Sequence, residues 1–193
     1  NTMTCSSITQ SFKKIKAGEK FLLHVKDKIR FLKGDLLNKD DALEACKNQD
    51  FVFHLAAQSL VSVSHSDPIE TISTNVVGTT NVLESLRTLK NHCVAVIITS
   101  DKCYDNLEWP WGYKETDRLG GKDIYSGSKG GAELVFKSYY HSFFRNENSN
   151  IKLATARAGN VIGGGDWAQD RIVPDCIRSW SKGDAVKIRN PYA

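Results

Sequence analysis

Tyr125 and Lys129 stand four residues apart, and upstream an apolar run ends in Ser100-Asp101-Lys102. At that spacing two side chains share one face of a helix, one turn apart. A lysine ammonium beside a phenol favours the phenolate and draws a tyrosine pKa down from about 10. A tyrosine poised in this way can take the proton of a hydroxyl while hydride leaves the same carbon. Ser100 can hydrogen-bond the same oxygen, and Asp101-Lys102 sets an acid beside a base. Once the carbon is a ketone, the proton on its neighbour is acidified. Eliminating water then needs one group to remove that proton and another to protonate the departing hydroxyl. Asp101 as the acid would have to be protonated, which demands a dry site. Lys102 as the base would have to be neutral, which demands the opposite desolvation shift. Side by side they more naturally form an ion pair, so which of them moves which proton stays open. Tyr125 and Lys129 alone could equally be a surface pair on a helix; the strand-end Ser-Asp-Lys set is what turns the spacing toward chemistry.

The elements that must position these groups follow from hydrophobic periodicity. Residues 29–32, 51–55, 94–99 and 151–157 read as strands, and 94–99 is a continuous β-branched run of the kind buried on both faces. Residues 40–47, 75–89, 125–144 and 172–180 read as helices, with Gly183 as a stop for the last and a further short helix over 11–16. Strand and helix alternate, which predicts a parallel sheet covered by helices on both faces. In such sheets the ligand crevice lies beyond the carboxyl ends of the strands. Asp35, Ala56-Ala57-Gln58, Ser100-Asp101-Lys102 and Ala158-Gly159-Asn160 all follow directly on predicted strands, so they gather on one rim.

Composition narrows the remaining possibilities. The chain has 193 residues, 40% of them hydrophobic, enough for one core and a single domain. A net charge of +4 is spread along the chain, and its densest basic stretch, 13–20, is interrupted, which argues against nucleic-acid binding. Cys5, Cys46, Cys93, Cys103 and Cys176 form no CxxC or Cys/His pair at metal spacing. Cys46 and Cys93 read as small core residues, and Cys103, although next to the proposed site, reads as packing more than as a reactive thiol. His24, His65, His92 and His141 show no metal spacing, and His54, inside an apolar strand, reads as a core histidine bonded to backbone. No metal is expected. Nothing approaches the roughly 20 apolar residues of a membrane span, and the polar N-terminus shows no signal peptide, so a reducing, cytoplasmic setting is expected.

From about residue 29 to its end the chain resembles the extended short-chain dehydrogenase/reductase family. The segments that carry the resemblance are Gly34-Asp35-Leu36, Val52-Phe53-His54-Leu55-Ala56-Ala57-Gln58, Thr74-Asn75-Val76-Val77-Gly78-Thr79, Thr99-Ser100-Asp101-Lys102-Cys103-Tyr104, Tyr125-Ser126-Gly127-Ser128-Lys129 and the run from Arg157 to Trp167. The Ser-Asp-Lys-Cys-Tyr and Gly-Gly-Gly-Asp-Trp segments are the narrowest and resemble the CDP-glucose branch of its nucleotide-sugar dehydratases. In sister dehydratases acting on other nucleotide sugars a Glu stands where this chain has Lys102.

The resemblance implies a Rossmann-like, doubly wound parallel sheet with NAD as cofactor and CDP-glucose as substrate. It implies transient oxidation at C4, loss of water across C5 and C6 and return of hydride. It implies Tyr125 as the base at C4 and Lys129 on the nicotinamide ribose. Asp35 and Leu36 would lie near the adenine, Leu55, Ala56 and Ala57 would pass beside the dinucleotide, and Asn75 would brace the active-site loops. Gln58, Ser100, Asn160 and Arg171 would contact the substrate, with Asp166 on the same nucleotide-sugar loop. By residue type alone, Asp35 is also an ordinary turn residue, Asn75 a helix cap, and Arg171 a helix-start charge. Trp109 and Trp111, with Pro110 between, form an aromatic loop that could cover the sugar or simply pack, and Trp167 is equally open. A homodimer or higher homo-oligomer is the family's habit.

The chain contains neither G-x-G-x-x-G nor G-x-x-G-x-x-G, so the resemblance places a first βαβ unit, with its phosphate-binding turn, before Asn1. The expectation is therefore one partial NAD-binding domain over 1–193, with 160–193 leading into a substrate-binding lobe and weak NAD binding by this stretch in isolation. Other readings remain: an epimerase, a dehydratase of another nucleotide sugar, or a non-catalytic Rossmann-like module.

Overall fold

A computed structural model describes residues 30–168, 170–188 and 191, and these fall into two compact units that divide between Gly159 and Asn160. The expected helix at 11–16, together with Cys5 and His24, lies outside the described residues.

In the first unit, helix α1 (Lys39–Cys46) opens on Asn38, whose side chain accepts from the Asp40 amide at 2.9 Å. Strand β1 (Phe51–His54) follows, then a short helix α2 (Val61–Ser66). Asp67 caps α3 (Pro68–Ile72) with Pro68 in the first turn, where its missing N–H costs nothing. The chain stays helical through a π-turn (Ser73–Val77) into α4 (Gly78–Thr88). Strand β2 (Cys93–Ser100) runs into a 3₁₀ turn (Asp101–Cys103). Helix α5 (Ile124–Tyr139) ends in a second π-turn (Tyr140–Phe144), and β3 (Ile151–Ala158) closes the unit.

The three strands form one parallel sheet in the order β1-β2-β3, with Phe51 opposite Val94, Cys93 opposite Ile151 and Ser100 opposite Ala158. Cys46 from α1, Val82, Leu83 and Leu86 from α4, and Phe144 pack with Cys93, Ala95, Ile97 and Ile151 into the core. Along β2, Cys93, Ala95, Ile97 and Thr99 are buried while Val94, Val96 and Ile98 are half-buried. The β-branched run therefore has one closed face, where α1, α4 and α5 lie, rather than two equally closed ones.

Two expectations need correcting. Arg30–Leu32 carries no strand, and Ile29 lies outside the described residues. A strand needs a ladder partner, and among the described residues none of the three strands pairs with this segment. The helix expected at 75–89 begins instead at Pro68, because the Asp67-Pro68 start precedes the apolar stripe. Asn75 is consequently not a cap but sits in the π-turn, 2% exposed.

The second unit holds α6 (Ile172–Trp180), ended by Gly183 at φ +76°, a conformation that favours glycine. Arg178 pairs with Asp175 at 2.9 Å and also donates to the Trp167 carbonyl, with its guanidinium 5.9 Å from the Trp167 ring centroid. That arrangement ties Trp167 to α6. No helix among the described residues is long and apolar enough to cross a membrane.

His54, at the end of β1, is 6% exposed, and its Nε2 lies 3.0 Å from Thr79 Oγ1, a side-chain partner rather than the expected backbone one. Burial, then the charge of Lys129, pulls its pKa down from 6.5 to about 4. Between those values the unfolded chain binds a proton that the folded one does not. Stability from this group is complete above about pH 6.5 and is lost as pH falls toward 4, by up to about 3 kcal/mol. Denaturant unfolding in steps from pH 7 to 4 should show that slope, and His54→Gln should flatten it; equal slopes in the two proteins would contradict the assignment.

Candidate functional site

The carboxyl end of β2 turns tightly because Ser100 caps the 3₁₀ turn that follows. Its hydroxyl accepts from the Lys102 amide at 3.2 Å and lies 3.1 Å from Asp101 Oδ1. Ser100 is 9% exposed, whereas Asp101 and Lys102 reach outward, 46% and 51% exposed, with Nζ 3.6 Å from Oδ2. They form the ion pair their adjacency suggests. Next to Asp101 is an open cavity of about 580 Å³ lined also by Tyr104, Tyr113, Glu115 and Arg157. Cys103 is fully buried and its thiol is pushed up to about 11, chiefly by burial, which makes it a packing group.

Helix α5 packs directly on this turn. Its start is fixed by Asp123, which accepts from the Ser126 amide at 3.0 Å and the Ser126 hydroxyl at 2.6 Å. Burial raises the Asp123 carboxyl, but these hydrogen bonds outweigh it and leave the group below its ordinary range. Tyr125 and Lys129 then fall on the face toward the sheet, 9% and 6% exposed, with the Lys129 ammonium 5.9 Å from the Tyr125 ring centroid. Burial lowers the Lys129 pKa. Two glycines allow the close fit. A Cβ on Gly130 would stand 2.9 Å from the Gly120 carbonyl, and one on Gly131 would stand 3.1 Å from Val76.

Asn75 links the π-turn to this face. Its Oδ1 accepts from the Gln58 amide at 2.8 Å, and its Nδ2 donates to the Gln58 carbonyl at 3.0 Å and to Ser128 Oγ at 2.8 Å. A π-turn offsets one residue of the helical ladder, which here aims a polar side chain into the core between the β1 loop and α5. The Gln58 side chain donates both amide hydrogens to neighbouring protein groups, the Leu60 carbonyl of its own loop and Thr71 Oγ1 on α3. Any contact from it to a ligand would have to use Oε1, which already accepts from the Leu60 amide at 2.6 Å.

Asp35, Leu36, Leu55 and Ala56 line one cavity of about 140 Å³ against Val52, His54 and Val82, while Ala57 follows in the same loop. Asp35 itself is exposed in a turn leading to α1, its Oδ1 accepting from the Leu37 amide at 2.9 Å. Asn160, Asp166 and Arg171 belong to the second unit, with Arg171 preceding α6.

The loop over 105–118 is closed at its base by the Tyr104–Leu119 bridge and the Asp105–Arg118 hydrogen bond. Inside it Tyr104 stacks on Tyr113 at 5.0 Å, Tyr113 meets Trp109 at 5.3 Å, and Trp109 meets Trp111 at 5.4 Å. The aromatic residues therefore pack on one another, with Trp111 left 63% exposed at the outer end. Sequence reasoning passed over a further set, buried Thr99 and Glu133 with half-buried Arg157, that joins this loop, β2, β3 and α5. The available signal was a lone carboxylate between Ala132 and Leu134 on an apolar helix stretch, four residues after Lys129.

A parallel sheet with helices on its core face and polar side chains gathered at the strand ends defines a Rossmann-like fold. The chain belongs to the family described as GDP-mannose 4,6 dehydratase, whose model matches residues 3–154. It is 54% identical over 147 residues to CDP-glucose 4,6-dehydratase of Salmonella typhimurium, a match covering 75% of this chain and 41% of that protein. It is 30% identical over 177 residues to CDP-paratose 2-epimerase of Salmonella typhi, covering 83% of this chain and 50% of that one. The chain thus spans half or less of the length of these curated relatives. Among solved structures, the fold matches the dTDP-glucose 4,6-dehydratase DesIV of Streptomyces venezuelae, with NAD and DAU bound, at a TM-score of 0.73 and 21% identity over 86% of this chain and 49% of that one. It matches UDP-glucuronic acid 4-epimerase of Bacillus cereus at 0.74 and 21% identity, over 90% and 52%.

Replacing Asn75 by Ala takes its side-chain partner from the Gln58 amide and carbonyl and one of two hydrogen bonds from the Ser128 hydroxyl, which keeps the Tyr125 carbonyl. The expected loss is about 2–4 kcal/mol in denaturant unfolding, with faster amide exchange at Gln58. An unchanged midpoint would show that the π-turn does not hold this loop.

Proposed function

We propose that this chain carries the catalytic strand end and helix of an NAD-dependent nucleotide-sugar 4,6-dehydratase whose substrate is CDP-glucose. The observation behind the proposal is the packing of the Ser100-Asp101-Lys102 turn against the helix face that bears Tyr125 and a buried Lys129. The 54% identity to a CDP-glucose dehydratase supports the sugar nucleotide.

The residues fit a nicotinamide dinucleotide. A cavity at the carboxyl end of β1 suits a flat apolar ring, with Asp35 and Leu36 on one side and Leu55 and Ala56 on the other. The small side chains of Ala56 and Ala57 leave room for a close approach, and Lys129 would bind the nicotinamide ribose. When bound, the cofactor would supply the hydride acceptor for C4 and the hydride source for C6. Tyr125 takes the proton from the C4 hydroxyl, Lys129 favours the phenolate, and Ser100 holds the same oxygen. The ketone acidifies C5. Asp101 and Lys102 then divide the remaining proton transfers, one removing the C5 proton and returning it to C5 when hydride reaches C6, the other protonating the C6 oxygen as it leaves as water. The product is a 4-keto-6-deoxy sugar nucleotide. Asn160 and Arg171, in the unit that would lead into the substrate lobe, would hold the nucleotide, the Arg171 fork matching a diphosphate or a base-edge carbonyl. A homo-oligomer, built through the helices that follow Asn75 and Tyr125, belongs to the same proposal. A cytoplasmic setting suits the free cysteines at 46, 93, 103 and 176.

An epimerase would use Tyr125 and Lys129 but would leave the C6 oxygen in place. The test is turnover of CDP-glucose with NAD, followed by product mass and reduced-cofactor absorbance. Tyr125→Phe should lower C4 oxidation by about 10²–10⁴-fold. Asp101→Asn should keep C4 oxidation, with reduced cofactor accumulating, while water loss falls by a similar factor. A wild-type product that retains its C6 oxygen would refute dehydration.

A further inference from the structure

Glu133 lies on α5 four residues beyond Lys129 and eight beyond Tyr125, so the three side chains follow one helix face over about two turns. It is 3% exposed, and both of its carboxylate oxygens are engaged. Oε1 accepts from Thr99 Oγ1 at 2.5 Å and Oε2 accepts from Arg157 Nη2 at 2.8 Å. The other arm of Arg157, Nη1, donates to the Tyr104 hydroxyl at 3.0 Å and to the Glu115 carbonyl at 3.2 Å. Thr99 is the residue before Ser100, and Tyr104 is the residue after Cys103. One carboxylate on the Tyr125–Lys129 helix therefore grips both ends of the Ser100–Cys103 turn, directly at its start and through Arg157 at its end.

We propose that Glu133 is a positioning residue that sets the Ser100-Asp101-Lys102 turn against Tyr125 and Lys129. The inference rests on the dehydratase reading for its catalytic consequence and on geometry alone for the clamp. Stability does not require a charge pair here, since well-packed apolar side chains of similar volume are often as good or better at a buried site. What an apolar pair cannot do is specify direction. The hydrogen bonds fix where Thr99 and Tyr104 sit relative to the helix, and a misplacement of 1 Å at reacting groups costs on the order of 10²-fold in rate.

Two variants of the intact protein separate positioning from folding. Thr99→Val keeps the shape and the ion pair and removes only the hydroxyl that reaches Glu133. The Glu133→Leu/Arg157→Met double variant replaces the ion pair by apolar groups. The double variant should unfold near the wild-type midpoint, and Thr99→Val, which leaves one buried carboxylate oxygen without its donor, at a lower one while still folding. In both, amide exchange over 101–104 should quicken about tenfold, and kcat for CDP-glucose should fall by about 10²-fold with KM little changed. Exchange that matches the wild type in both variants overturns the clamp. Loosened exchange with kcat kept at the wild-type value overturns its catalytic consequence. If either variant fails to fold, Glu133→Gln, which keeps an acceptor for Thr99, gives the same two readings. Wild-type protein that turns over no nucleotide sugar refutes the dehydratase reading instead, and exchange, measured without substrate, still decides the clamp.

Discussion

The parallel ladder between β2 and β3 is the constraint on which the site depends. Its register sets Thr99 opposite Arg157 and Ser100 opposite Ala158, so the two strands end level and the Ser100 turn emerges beside Gly159. Because side chains alternate between faces, Thr99 and Arg157 both point to the core side, where α5 crosses, while Ser100 opens toward the rim. A slip of one residue would turn either Thr99 or Arg157 away from Glu133 and break the ion pair of this buried carboxylate. Hydrophobic packing of Cys93, Ala95 and Ile97 fixes that register from the other end of the strand. The core thus sets the polar geometry at the rim.

Around α5 several polar groups are buried at once, and each has to be satisfied where it sits. Asn75 is saturated by the Gln58 backbone and Ser128, and Glu133 by Thr99 and Arg157. Lys129 and His54 solve the problem differently. Their charges disfavour one another, and burial lowers the pKa of both, so the imidazole stays neutral against Thr79 and leaves the positive charge to the lysine. A histidine held neutral keeps a second positive charge away from the Lys129 ammonium. Under the proposed mechanism that leaves Tyr125 facing a single cation.

The sequence makes some of this legible for physical reasons. Tyr125 and Lys129 are found by spacing, and Asp123 then supplies a cap that forces the helix to start just before them. The run 94–99 is too rich in β-branched residues to be anything but a strand, and α6 has the bounds its apolar stripe predicts, with Gly183 ending it. Other features leave no local signature. Helix α2 alternates Val, Ser and His without an apolar stripe, so only its packing makes it helical. The π-turn at Asn75 is invisible to a 3.6-residue period, because it exists to satisfy the Gln58 backbone across the fold. Residues 30–32 show the reverse failure, an apolar pattern suited to a strand without a ladder partner among the described residues. Glu133 is legible only as an anomaly, and its partners 34 residues upstream and 24 downstream come together through the register alone.

The two halves of the proposed chemistry sit in different surroundings. Tyr125, Lys129 and Ser100 are each at least nine-tenths buried, so the groups assigned to C4 oxidation are held in place and screened from water. Asp101 and Lys102, assigned to the elimination, are about half exposed and paired to one another. An exposed ion pair holds its protons loosely in position, since water competes for every contact and side-chain freedom opposes a fixed geometry. A nucleotide sugar laid over the Ser100 turn would itself exclude that water and bring both groups against C5 and C6. Under the proposed mechanism, the groups assigned to oxidation are already organised by burial, whereas the pair assigned to elimination would be dried and aligned by the bound substrate.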